Sequence, residues 1–255
     1  MLPRLALTLL LVIGVATLTL RSTPVPRLDL DALTKDSSLI VTGEIASIRE
    51  TGKTKLQFNG MELDARVGAG TIRVNQVLKG NAPAEGVSFQ IYTSDKYIGW
   101  ASPRTNSYAI YFLKADSPGN TQFTSPYYPD VPTVPTSVVS EGAPIYKVIV
   151  AIKEVLSSPE TTLNQKTRAV YFLSHSKGAS ATAALHEALN DSTQEVQISA
   201  AAALLQRNDT TGLGTAKETL LHGSQITSME LRQNLIYAIA QGLQDPKALP
   251  SRRGG

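Results

Sequence analysis

The chain of 255 residues contains no cysteine. That excludes disulfide staples, thiolate metal sites, thiol catalysis and a lipid anchor on an N-terminal cysteine. Tryptophan occurs once and histidine three times, too sparsely for an obvious metal or general-base constellation. Phosphate-backbone binding needs clustered Lys and Arg, and only the short Arg252–Arg253 pair comes near that. A net charge of +3 suggests a basic protein, but Arg4, Arg21 and Arg27 account for it. Residues 28–140 carry ten basic and eleven acidic groups, and residues 141–255 carry eleven and ten. Both parts are near neutral, so no nucleic-acid partner is expected.

Catalytic signatures are also missing. His186-Glu187 opens like the zinc-protease HExxH pattern, but position 190 is Asn190, so the second ligand one turn later is absent. Gly68-Ala69-Gly70 and Gly212-Leu213-Gly214 lack the further glycines and Lys-Ser/Thr of a phosphate loop and read as turns. No Gly-x-Ser-x-Gly elbow is present. Glu44, Glu50, Glu62 and Asp64 are spread along strands and read as solvated faces. His175 and His222 fall at helix ends, where partial positive charge is favourable. No catalytic residue, metal ligand or cofactor is expected.

What is present begins with an apolar run from Leu5 to Leu20 behind Arg4, with no acid before Asp29. This reads as residues 1–20 forming a signal peptide, with Gly14 and Ala16 placed for cleavage, or an uncleaved N-terminal anchor. A membrane span needs about 20 apolar residues, which favours cleavage. An extracytoplasmic location follows, a bacterial periplasm or secretion, with membrane attachment only if the segment is retained. Residues 21–37 read as a linker with one short helical turn.

From residue 38 to 116 the apolar period is two. Leu39–Glu50, Lys55–Phe58, Met61–Val67, Thr71–Leu78, Val87–Thr93 and Tyr108–Leu113 read as strands. Gly43 suggests a bulge, Asn59-Gly60 a tight hairpin, and Gly68 with Gly70 an interruption. Short strands separated by turns predict an antiparallel barrel or sandwich. Residues 117–143 hold Pro118, Pro126, Pro129, Pro132 and Pro135, a density that opposes helix and central strand alike. They predict an extended arm.

Residues 144–250 turn helical. Ile145–Leu156 is apolar on more than one face, and Ser158-Pro159-Glu160 suggests the next helix start, running to Leu173. Ser180–Leu189, Gln194–Leu205 behind Thr193, Gly214–Leu221, and Met229–Leu243 behind Ser228 complete six helices in three pairs. A pattern recurs 35 positions apart: Val196, Ala200, Ala203 and Leu204 correspond to Leu231, Leu235, Ala238 and Ile239. That period implies stacked helix hairpins. Residues 251–255 form a tail. The fold class expected is α+β, a β-domain followed by a helical repeat stack.

The stretch Leu185–Leu205 resembles a HEAT repeat. Asp191 stands at the turn, Val196-Gln197 where Val-Arg is usual, and Leu231-Arg232 restores the Arg in the next unit. The resemblance implies a protein-binding scaffold. The strands Leu39–Ile45, Thr71–Gly80 and Tyr108–Leu113 are similar in order to the OB-like barrel of netrin and metalloproteinase-inhibitor modules. The cysteines on which those inhibitors depend are absent, so their mechanism does not carry over.

Nine of the fifteen aromatic residues lie between Tyr92 and Tyr128. Tyr97 and Trp100 occupy a long connection, and Tyr127-Tyr128 the proline arm. These four are the candidate partner-binding residues, since Tyr and Trp in loops anchor interfaces. The other reading is that they cover the open end of the β-domain. The function expected is a non-enzymatic, exported interaction protein with a protein partner. The alternatives are an envelope hydrolase with dispersed carboxylates and an OB-type ligand-binding module.

Overall fold

Alternation of apolar residues drives the first half of the chain into a six-stranded sheet, and helical periodicity drives the second half into packed helices. The computed structural model describes residues 26–222, apart from 59, 95–102, 118–119, 138 and 140, together with 233, 235 and 236. The Leu5–Leu20 run lies outside these. Among the described residues no helix is long and apolar enough to cross a membrane.

The order is α1 (Leu30–Asp36), β1 (Leu39–Phe58), β2 (Met61–Lys79), β3 (Val87–Thr93), β4 (Tyr108–Ser117), β5 (Asn120–Phe123) and β6 (Asp130–Val131), then α2 (Pro144–Ser157), α3 (Leu163–Ser174), α4 (Ala179–Ala188), α5 (Gln194–Gln206), a 3-10 turn (Thr210–Gly212) and α6 (Leu213–His222). All six strands belong to one sheet, not the two of a sandwich. Its order is β1-β2-β3-β5-β4-β6, and β4 also pairs with β1. Among the described residues the only parallel pairing is β3 with β5.

The β1–β2 hairpin closes at Phe58↔Met61, with Gly60 at φ 76°. The expected division of its second strand does not occur, because β2 runs unbroken through Gly68 and Gly70. At these positions neighbouring groups come too close for a side chain. A Cβ on Gly70 would lie 2.5 Å from both the Ser47 carbonyl oxygen and the Phe89 ring. Register shifts between Ile45 and Ser47 and between Glu50 and Gly52 let the long strand bend. A further shift at Thr42/Gly43 matches the bulge expected there.

The proline segment is not only an arm. Its proline-free stretch supplies β5, which is inserted between β3 and β4. Prolines flank this strand at 118 and 126 without entering it, so no ladder donor is lost. β6 then joins β4 through Ile110↔Val131.

β4 is buried on both faces. Ala109, Tyr111 and Leu113 join Val41, Ile45 and Phe89 in one core. Ile110 and Phe112 join Ile40, Leu78 and the helices in a second. At about 1.5–3 kcal/mol per fully buried large apolar side chain, this second core welds sheet to helices. The presumed linker takes part: Leu28 and Leu30 are buried in it, and Asp29 caps α1 by accepting from the Ala32 N–H at 2.8 Å.

α2 is buried along Val148, Ile149, Ala151, Ile152, Val155 and Leu156, the broad apolar surface expected. The next helix begins later than Ser158-Pro159-Glu160 suggested. Ser158 instead ends α2, its N–H donating to the Glu154 carbonyl at 3.0 Å. Thr162 and Gln165 form a reciprocal capping box that starts α3. α2 packs on α3 and α4 on α5, while α3 also packs on α5 and α2 on α4. Of the Met229–Leu243 helix, only 233, 235 and 236 are described. They are helical, and Leu235 is buried with Ile198, Ala202, Leu205 and Ala216.

Candidate functional site

Of the four candidate aromatics, Tyr97 and Trp100 lie outside the described residues. Tyr127 and Tyr128 are half-buried neighbours with ring centroids 6.5 Å apart. Tyr128 is a packing element. Its ring meets Phe172 of α3 edge-on at 6.3 Å. Its hydroxyl donates to the Pro26 carbonyl at 3.0 Å. Desolvation, with Tyr171 beside it, pushes its pKa up to about 12. Tyr128 thus ties the arm to α3 and to the segment before α1.

The concave surface of the helical half lies behind that contact, between α3 and α5. It is a groove of about 580 Å³. The capping box sets the rotation of α3, so that Ala169, Val170, Phe172 and Leu173 face the core. Asn164, Arg168, Tyr171 and His175 are then left along the groove. α5 supplies the opposite wall with Ser199, Ala202, Ala203 and Gln206. Its small side chains leave the space open. The alanine run therefore has two roles: Ala200 and Ala201 are fully buried packing residues, while Ala202 and Ala203 also floor the groove.

Tyr171 is the prominent feature, 43% exposed. Its ring lies 4.5 Å from the His175 imidazole and 5.6 Å from Phe172. His175 Nδ1 is 2.8 Å from the Tyr171 carbonyl oxygen, which fixes the imidazole at the helix end. Arg168 reaches across to Asp130 at 3.1 Å. The stripe Asn164, Arg168, Tyr171, His175 has helical spacing and was readable in the sequence. In the sequence the aromatic density of the loops is the stronger signal.

The frame of the groove is held by polar contacts between helices. Lys166 of α3 pairs with Asp191 at 2.8 Å. Arg207 donates to the Ser176 carbonyl and, at 2.6 Å, to Thr182. Asp31 of α1 accepts from Ser176 at 3.0 Å and from the Lys177 N–H at 2.6 Å, so the N-terminal helix clamps the turn between α3 and α4.

The remaining sequence candidates are dispersed. His186 pairs with Asp209 at 2.9 Å. Burial raises the Asp209 carboxyl, but hydrogen bonds from Thr211 and the charge of His186 outweigh this and leave it below the ordinary value. His175 caps α3 and His222 ends α6. Glu44 pairs with Arg73 at 3.0 Å and Glu62 with Lys55 at 2.6 Å. Among the described residues no three His, Asp or Glu side chains gather as a metal-binding group. Gly68 and Gly70 belong to a strand, and Gly212 sits where the 3-10 turn crosses the α5 backbone, its would-be Cβ 2.6 Å from the Ala201 carbonyl oxygen. No family model, curated protein or solved structure matches the chain.

Proposed function

We propose that the chain is a non-enzymatic, exported interaction protein that binds a protein partner in the α3/α5 groove. The observation that carries this is the groove itself, a wide concave surface with an exposed aromatic at its centre and small side chains opposite. Large, stiff aromatics flanked by polar groups are the usual anchors of protein interfaces. Export is read from the Leu5–Leu20 run.

The helical half is interpreted as a HEAT-like stack. First helices lie on first helices (α2 on α4) and second on second (α3 on α5), with Asp191 at the turn. In such a stack the second helices line the concave face that binds partners. The strand half is interpreted as an OB-like barrel. Its pairings pass from β1 through β2, β3, β5 and β4 back to β1, the order in which a five-stranded barrel closes. In this reading the β-unit supports the stack, and no cofactor is involved.

A photo-crosslinking amino acid placed at Tyr171, with a control at Tyr146 (47% exposed, on α2), tests the groove in cells that express the chain natively. Discrete adducts from position 171 and none from 146 are expected. No adduct at 171, or the same adducts at both, overturns the proposal.

A further inference from the structure

β3 and β5 are in register at a single pair, Gln90↔Gln122. Beyond it lies a cavity of about 300 Å³ between the two strands, the β1–β2 hairpin and the proline segment. On the sheet face that carries Gln90 and Gln122, its apolar lining is Leu56, Tyr92, Pro126 and Pro129. The Ile91 and Phe123 side chains turn to the opposite face of the sheet, where the Phe123 ring lies 4.9 Å from Phe89 and 6.2 Å from Tyr111. The two prolines bring no N–H donors to the wall.

The polar side of the cavity is ordered. Lys114 of β4 stands opposite Gln122 of β5, which stands opposite Gln90 of β3. This aligns one ammonium and two amides across three strands, and all three residues line the cavity. The Tyr92 hydroxyl donates to Gln90 Oε1 at 3.4 Å, which leaves the Gln90 amide nitrogen free to donate elsewhere. Lys114 is half-buried, and among the described residues it has neither an ion pair nor a side-chain hydrogen bond. Among the described residues no acid lines the cavity. A half-buried ammonium beside two amide donors, at the mouth of an apolar cavity, suits a single carboxylate with a hydrocarbon body.

We propose that this cavity binds a small apolar carboxylate of the medium-chain fatty acid type. The carboxylate meets Lys114 and the glutamine amides, and the alkyl chain lies against Leu56, Tyr92 and the prolines. At ~30 Å³ per water-sized group, the space holds about ten non-hydrogen atoms, the size of octanoate. The site shares no lining residue with the α3/α5 groove and does not depend on the protein-binding reading.

Calorimetric titration of the full chain with octanoate, 1-octanol and octylamine tests it. Octanoate should bind at one saturable site with a Kd on the order of 0.1 mM, a normal yield for about ten atoms. Octylamine, carrying the wrong charge, should bind at least about tenfold more weakly. Lys114→Met should weaken octanoate about tenfold or more, the loss of one charge-assisted contact, and leave 1-octanol unchanged. Leu56→Trp should abolish binding of both by filling the cavity; if that variant does not fold, Lys114→Met alone decides. Absence of saturable octanoate binding up to millimolar concentration, octylamine binding as tightly as octanoate, or indifference of octanoate binding to Lys114→Met overturns the proposal.

Discussion

Removing the Asp191 carboxylate should loosen the frame of the groove more than any surface change. Asp191 lies in the turn between α4 and α5. One of its oxygens accepts from Lys166 of α3 at 2.8 Å, and the other accepts from the Thr193 N–H at 2.8 Å. The two side chains are only 14% and 6% exposed, so water screens the pair poorly. Asp191→Ala leaves a largely buried ammonium without a partner and the Thr193 N–H, in the turn ahead of α5, without its acceptor. Breaking a buried pair from one side costs about 3–5 kcal/mol. At roughly 2–4 °C per kcal/mol for a chain of this size, the melting temperature should fall by roughly 6–20 °C.

Lys166→Met combined with Asp191→Asn removes both charges and keeps an oxygen to accept from the Thr193 N–H, so it should come within about 1 kcal/mol of the wild type. Burial raises the Asp191 carboxyl, but hydrogen bonds from Lys166 and Thr193 outweigh it and hold the group below its ordinary 3.8. The pair's contribution is therefore complete above pH 3.8 and is lost as pH falls through the depressed folded value. The deficit of Asp191→Ala should shrink in the same acid range. Urea unfolding followed by circular dichroism from pH 7 to 3 measures all of this. A cost below about 1 kcal/mol at pH 7, or a double variant whose loss equals the sum of the single ones, would refute the reasoning.

Two further outcomes concern the sheet. Gly70→Ala should cost about 1–3 kcal/mol, because the new methyl meets the Ser47 carbonyl and the Phe89 ring; Gly52→Ala, with nothing within 4 Å of the added carbon, should be neutral or stabilise by up to about 1 kcal/mol, both read from urea midpoints. Tyr111 is fully buried, and desolvation first of all raises its pKa from 10.0 to about 12. Its contribution to stability is complete below pH 10 and falls away as pH rises through about 12; absorbance at 295 nm should show a late phase that Tyr128 shares, and Tyr111→Phe should reduce it without removing it.

Local chemistry accounts for what could be read from the chain. Gly60 is where its positive φ is needed, and Asp191 falls in the turn between α4 and α5. α2 carries the broad apolar surface that its period predicted. The start of α3 was also written locally, in Thr162 and Gln165, but Pro159 was the louder signal. The candidate site was less legible. Tyr128 and Tyr171 have similar sequence surroundings, each an aromatic beside another aromatic, yet the first is turned onto Phe172 and the second into the groove.

By itself the sequence determined the order of strand and helix, the hairpin, the absence of thiol chemistry and the near-neutral halves, because period, turn chemistry and charge act over a few residues. Only the tertiary structure decided that β2 passes through two glycines, that the proline segment feeds β5 into the middle of the sheet, and that the residues ahead of β1 lock the helices. Each of these depends on atoms brought together from distant parts of the chain: Ser47 and Phe89 on Gly70, Asp31 on Ser176, Pro26 on Tyr128. Such contacts leave no periodic trace, since their energy belongs to pairs of segments and to neither segment alone.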